Sequence, residues 1–277
     1  MTATVRAFDP DDVPGGQVIR SINSPDGVRN SPDGVRNSPD PGSVDRLAEM
    51  IRPTALAADR TLPVHPALAP LFARGALQRG SVVRLCGPGA TSLTLALVAQ
   101  ASSEGAWVGF VGTDDLGWSA AADLGVDLGR VLVVEQVPTG QWSTVTAALV
   151  DAVEVVVMAP DHLVRHGDAR RLAARARERG SVLVVTRSAP WPIEPDITLH
   201  ATEPRWEGVG RGHGRLVARS LTVSADGRRS AATERRASLW LPGGAGDLAV
   251  RHPVPDEIAR RREAGAVPEV HGTALVS

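Results

Sequence analysis

Ser81-Val82-Val83-Arg84-Leu85-Cys86-Gly87-Pro88-Gly89-Ala90-Thr91-Ser92-Leu93-Thr94-Leu95-Ala96 reads as an apolar strand, a glycine-rich turn and the opening of a helix. That layout is the one used by the phosphate loop G-x-x-x-x-G-K-[ST]. In that loop backbone N–H groups surround a phosphate, a lysine reaches the β- and γ-phosphates, and a hydroxyl meets the metal ion. Gly87 takes the first glycine position and Thr94 the closing hydroxyl. Ser92 stands where the second glycine belongs, and Leu93 where the lysine belongs. Leucine cannot supply the point charge that an ammonium brings to a phosphate. No neighbouring lysine can substitute, because all 30 Lys+Arg residues of the chain are arginine. The strand–loop–helix is therefore kept, while Gly87, Pro88, Gly89, Ala90, Thr91, Ser92, Leu93 and Thr94 form a degenerate phosphate loop.

Working outward, the 277 residues suffice for one large domain, or one domain with tails. A hydrophobic content of 43% supports a sizeable core, and a net charge of -1 argues against a polycation. Arginine without lysine, beside abundant alanine, glycine and proline, follows the codon usage of a high-GC genome, so arginine richness alone carries no function. Cys86 is the only cysteine, which excludes a disulfide framework and a cysteine metal cluster. Its place in an apolar strand predicts a small buried core residue, not a reactive thiol. No apolar run reaches the length of a membrane span and the N-terminus shows no signal peptide, so a soluble cytoplasmic protein is expected, with association to the nucleoid as an option.

Residues 1–42 are expected to be a disordered low-complexity tail. Asn23-Ser24-Pro25-Asp26-Gly27-Val28-Arg29 repeats at once as Asn30 to Arg36, and a third copy starts at Asn37. Turn formers dominate the unit, and one valine per repeat cannot build a core. Residues 43–61 read as a short helix capped by Ser43, followed by a linker. From 62 to 241 short Val/Leu runs alternate with helical segments. Strands are expected at 81–86, 107–111, 130–134, 153–158 and 181–186, with helices at 91–103, 119–124, 141–152 and 168–179 between them. Continuous apolar strands separated by helices mean an α/β fold: a parallel sheet covered on both faces. Strands are also expected at 197–200, at 215–223, which alternates apolar and polar residues, and at 237–241 as the return strand, and they predict an antiparallel extension at one sheet edge. Residues 242–277 are expected to be a C-terminal linker and tail, with a short charged helix at 255–264.

The order of motifs from Leu62 to Leu241 resembles the RecA core, and most closely the RecA-like ImuA proteins of actinobacterial mutasomes. The residues that carry the resemblance are Gly75-Ala76-Leu77-Gln78-Arg79-Gly80, Leu124-Gly125-Val126-Asp127, Trp206-Glu207-Gly208 and Leu239-Trp240-Leu241-Pro242. The resemblance implies a role in DNA-damage-induced (SOS) mutagenesis, alongside an ImuB-like Y-family protein and an error-prone polymerase in translesion synthesis. It also shows what is missing. Where the family's fourth strand ends in a metal-holding carboxylate this chain has Ala159, and Asp161 lies two residues on. Asp114, offset by one residue, stands nearest to the family's water-activating glutamate. With lysine and carboxylate both lost, the resemblance implies a domain that no longer hydrolyses ATP. Neither ATP nor Mg²⁺ is expected as a cofactor, and no metal site is expected. The segments 160–167 and 187–196 are short for the family's two DNA-binding loops, so DNA contact is expected to be weak or indirect. The alternatives are a weak DNA-dependent ATPase using residues 87–94 and Asp114, and a regulator of RecA filaments.

Residues 161–240 hold 15 arginines against 9 acids, whereas 61–160 hold 4 against 8. Arg171 and Arg175 share one helical face. With Arg215 and Arg219 they make a candidate basic face for DNA or an acidic partner. Its alternative is a solvated surface. His162 and His166 stand four apart without a third ligand, which favours surface positions over a zinc pair. Among the tryptophans, Trp191 and Trp206 sit beside proline or glycine and are the candidate interface anchors.

Overall fold

The computed structural model describes residues 4–7, 61–113, 116–186, 191–209, 214–227 and 234–251. The heptapeptide repeats, the helices expected after Ser43 and Pro255, and Asp114 lie outside these residues. Ten strands form one sheet: β1 (Thr4–Ala7), β4 (Val82–Cys86), β5 (Val108–Val111), β6 (Val131–Glu135), β7 (Val155–Met158), β8 (Val182–Val185), β9 (Ile197–Val209), β10 (Gly214–Gly227), β11 (Arg235–Trp240) and β12 (Ala249–Val250). Their order is β1-β6-β5-β7-β8-β4-β9-β10-β11-β12, and a small separate ribbon pairs β2 (Thr61–Leu62) with β3 (Leu77–Gln78). The six strands from β6 to β9 run parallel. β10 and β11 continue the sheet antiparallel, as the segments at 215–223 and 237–241 predict, and β12 follows them.

Helices cover both faces. α1 (Ala90–Ser103) and α2 (Trp118–Asp123) lie on one side, α3 (Trp142–Ala152) and α4 (His166–Arg179) on the other. The two-residue alternation of the strands divides the core accordingly. Val155 and Val157 of β7 pack with Leu93, Leu97 and Phe110 on the α1 side. Val156 and Met158 pack with Leu149, Leu172 and Leu183 on the α3–α4 side. α4 shows why such segments are helical. Ala169, Leu172, Ala173 and Ala176 make one buried face, Asp168 lies in the first turn, Arg177 and Arg179 in the last, and Gly180 closes the helix at φ 73°.

Three expectations need correction. Residues 4–7, placed in a disordered tail, form β1 against β6. Without them β6 would be the sheet edge, with a row of unpaired backbone groups. Ile197 to His200, expected only in the antiparallel extension, also pair parallel with β4, so direction on this side of the sheet reverses at the β9–β10 ladder. The chain beyond Leu241, expected to be a linker, adds β12 to β11 and buries Leu248 in the core.

β4 and α1 meet at Gly87-Pro88-Gly89. Gly87 and Gly89 adopt φ 92° and 90°, a left-handed region open to glycine. A β-carbon on Gly87 would also collide with the carbonyl oxygen of Ala201 in β9. Gly105 has a similar φ of 99° but faces open space, with nothing within 4 Å. Gly105→Ala is expected to cost about 1 kcal/mol in urea unfolding, the strain of the backbone alone. Gly87→Ala is expected to cost about 2–4 kcal/mol, because the clash adds to that strain. Equal costs would show that β9 gives way freely at Ala201.

Candidate functional site

The degenerate loop is the natural place to look for chemistry, and its geometry is that of a closed turn. The motif would leave four residues between Gly87 and the position of Ser92 to wrap a phosphate. Here α1 begins at Ala90, so Ala90, Thr91, Ser92, Leu93 and Thr94 are already helical. The Ala90 N–H donates to the Gly87 carbonyl at 3.2 Å, and the Leu93 N–H to the Gly89 carbonyl at 2.9 Å. These bonds wind the would-be cradle into a helix start.

The side chains agree with the backbone. Leu93 is fully buried in the core, so the position of the phosphate-seeking lysine points inward. Thr94 is 1% exposed, and its hydroxyl donates to the Ala90 carbonyl one turn back at 2.8 Å. That donor is spent within the helix and does not face a ligand. At the metal-carboxylate position Ala159 is buried, its N–H bonded to the Val111 carbonyl at 3.0 Å. Its own carbonyl lies 2.8 Å from where a Gly112 β-carbon would be, leaving no room for a larger side chain at 112. Asp161 points outward and pairs with His162 Nδ1 at 3.0 Å. The residues present do not fit a Mg²⁺–triphosphate bound in the usual way.

What does lie beside the loop is Arg219. Its Nη2 is 3.0 Å from the position that a Gly89 β-carbon would occupy, so Gly89 leaves the guanidinium its space. Nε donates to the Leu241 carbonyl at 2.7 Å, and the guanidinium carbon stands 5.2 Å from the centre of the Trp206 ring. Burial pushes the Arg219 pKa below its ordinary value, and Nη2 has no hydrogen-bond partner among the described residues. Nothing in the local sequence marks Arg219 for this place. Its position depends on β10 crossing the end of the loop.

The four arginines do not form one face. Arg219 lies at the start of α1, whereas Arg171 and Arg175 project from α4 on the opposite side of the sheet. Both α4 arginines are paired: Arg171 with Asp168, and Arg175, together with Arg179, with Asp151 of α3. Arg215 is exposed on β10. Of the two candidate anchors, Trp191 is 7% exposed and packs in the α3–α4 core, whereas Trp206 is 46% exposed. Trp206 stands with Val209, Leu216 and Val217 on the part of the β9–β10 hairpin that extends beyond the sheet. His162 packs edge-on against Trp142 at 5.3 Å, and His166 opens α4. Gly112, Gln136, Val137, Trp142 and Asp161 line a cleft of about 140 Å³ at the carboxyl ends of the strands. Among the described residues no helix is long and apolar enough to cross a membrane.

Comparison with known proteins follows this geometry. Residues 70–193 match the family described as MT3502 N-terminal domain. The uncharacterized protein Rv3395c of Mycobacterium tuberculosis is 32% identical over 147 residues, which cover 50% of this chain and 71% of that protein. The chain belongs to the family of Rv3395c. The matched family region runs from the segment before the loop to residue 193, short of β9, so it spans the closed turn, α1 and both helical layers. A crystal structure of the RadB recombinase aligns with a TM-score of 0.46 and 13% identity, over 63% of this chain and 92% of that one.

Asp151 gives the α3–α4 contact a pH dependence. Burial alone would raise its carboxyl pKa, but the hydrogen bond and charge of Arg175 and the charge of Arg179 outweigh burial and hold it below the ordinary value. A carboxyl lowered in the folded state adds stability above its unfolded pKa of about 4, and that stability is lost as pH falls through the folded value. Asp151→Asn is expected to cost about 1 kcal/mol in denaturant melts at pH 7. The gap between variant and wild type is expected to close below about pH 4. A gap independent of pH would remove the ion pairs as its cause.

Proposed function

We propose that this protein is a RecA-like scaffold without ATPase activity, which docks an ImuB-like Y-family partner and an error-prone polymerase during damage-induced translesion synthesis. The observation that carries the first half is the closed turn at 87–94, with Leu93 in the core and the Thr94 hydroxyl bonded back to Ala90. Among the described residues, the lysine and metal-carboxylate positions hold the buried Leu93 and Ala159, and the Thr94 hydroxyl is turned back into its own helix. A fold kept without its chemistry is suited to holding partners. The partner identities rest on the motif resemblance at Gly75–Gly80, Leu124–Asp127, Trp206–Gly208 and Leu239–Pro242. The half-exposed Trp206, with Val209, Leu216 and Val217, is an apolar surface of the kind that partners bury.

A second reading, a weak ATPase, draws on Arg219. A cation from β10 beside Gly89 brings positive charge to the loop from which lysine is missing. In that reading, Arg219 would face the phosphates once the turn opened.

One titration separates the two. Full-length protein with labelled ATP at millimolar Mg²⁺ is expected to show no saturable binding and no turnover above a buffer blank. Tight binding with turnover that Arg219→Ala abolishes would replace the scaffold with the enzyme. The partner half is tested by pull-down with a purified ImuB-like protein. Retention is expected with the wild type and a loss of roughly ten-fold or more with Trp206→Ala. Failure of the wild type to retain that protein would remove the mutasome assignment.

A further inference from the structure

The face of the sheet opposite α1 brings together reactive side chains that the closed turn does not use. β4, β9 and β10 present Arg84, Cys86, Thr198, His200 and Ser224 there, half-buried, with Asp226 exposed at the rim. Cys86, expected to be a buried core residue, is thus reachable at the end of β4. The parallel register sets Cys86 directly against His200, and the β9–β10 register sets His200 against Ser224, two residues from Asp226. Cys86 Sγ lies 3.0 Å from His200 Nδ1. On the far side of the ring, His200 Nε2 lies 3.6 Å from Asp226 Oδ2, an ion-pair distance.

Thiol, imidazole and carboxylate in that order let the ring take the thiol's proton while the carboxylate stabilises the imidazolium. They do not suit a metal, since thiol and carboxylate sit at opposite nitrogens of the ring and cannot share one cation. We propose that Cys86 is a thiol-modification site, activated by His200 and Asp226, that reacts with low-molecular-weight disulfides.

The step balances without a further reagent. His200 Nδ1 takes the proton from the Cys86 thiol, and the thiolate attacks one sulfur of the disulfide. The Cys86–sulfur bond forms as the reagent's S–S bond breaks. The departing thiolate takes the proton back from the imidazolium and leaves as a thiol. Cys86 is oxidised and the leaving half reduced by the same electron pair.

The surroundings explain why a base is needed. At rest the thiol faces the Leu199 carbonyl at 3.7 Å. Burial pushes its pKa up, the Arg84 charge opposes this and the Asp226 charge adds to it. A neutral resting thiol follows, and an imidazole at contact distance supplies thiolate when an electrophile arrives. None of this depends on what the 87–94 turn binds.

Because Cys86 is the only cysteine, every signal from a thiol reagent belongs to it. The full-length protein is mixed with dithiodipyridine, a neutral disulfide, and thiopyridone release is followed across pH. The rate constant at pH 7 is expected to fall on the order of ten-fold or more in His200→Gln. A smaller loss, roughly two- to five-fold, is expected in Asp226→Asn, which acts only through the ring. An inflection on the acid side of the wild-type pH profile is expected to disappear in His200→Gln. The His200 side chain is half-exposed and Asp226 is exposed, so both variants are expected to keep the wild-type thermal midpoint, checked by circular dichroism. Equal rates in wild type and His200→Gln would overturn the proposal, and so would a thiol that reacts only after urea unfolding.

Discussion

The contact between Gly87 and the Ala201 carbonyl governs the centre of this molecule. Only a residue without a β-carbon can stand there, and only one at ease with φ 92° can turn the chain out of β4. That approach lets β9 lie along β4 to its end, which fixes Cys86 opposite His200. It also lets α1 start three residues later, so that Leu93 and Thr94 enter the core. A loop spacious enough to hold phosphates would have to push β9 aside. The missing lysine and the closed turn are therefore two aspects of one packing arrangement.

Arg219 tests whether that arrangement is electrostatically tolerable. A cation near the N-terminus of a helix opposes the helix dipole, at about 0.3–1 kcal/mol where solvent reaches and somewhat more where it does not. Against this stand a hydrogen bond from a charged donor to Leu241, about 1.5–3 kcal/mol, and the Trp206 ring, about 0.5–1 kcal/mol. Burial of the guanidinium and its unpartnered Nη2 stand on the cost side too, while the local contacts tie the β10–Leu241 contact to the exposed hairpin that carries Trp206. The guanidinium is held by the Leu241 carbonyl and the Trp206 ring, and the loop only leaves it room.

The parallel half of the fold was legible because its signals are local. Runs such as Val155-Val156-Val157-Met158 must be buried on both faces, and Gly180 after a 14-residue amphipathic segment marks a helix end. The departure from the phosphate-loop pattern was legible for the same reason, since Ser92 and Leu93 occupy positions defined by spacing. What was not legible depends on pairing at a distance. Nothing in Thr4–Ala7 announces an edge strand. Pro204 and Gly208 interrupt the pattern of β9, yet the strand runs on through both. Cys86 and His200 are 114 residues apart, and only the register of two strands joins them. Trp191 and Trp206 have similar neighbours in sequence and opposite fates, because burial of a tryptophan depends on which element crosses it.

The same junction presents two chemically different surfaces, and the alternation of the strand explains why. Successive residues of β4 point to opposite faces, so Leu85 joins the α1 core while Cys86 joins the polar row with His200. On the α1 side the helix lies directly on the turn, and any site there would compete with packing that places fully buried leucines. On the other side α3 and α4 cover the strands from β6 to β8, while Arg84, Cys86 and His200 at β4 and β9 are left half-exposed. Reactive groups can persist on that face without disturbing the core. The β4–β9 register that accompanies the closed turn at the start of α1 is thus the register that sets a thiol against an imidazole on the reverse face.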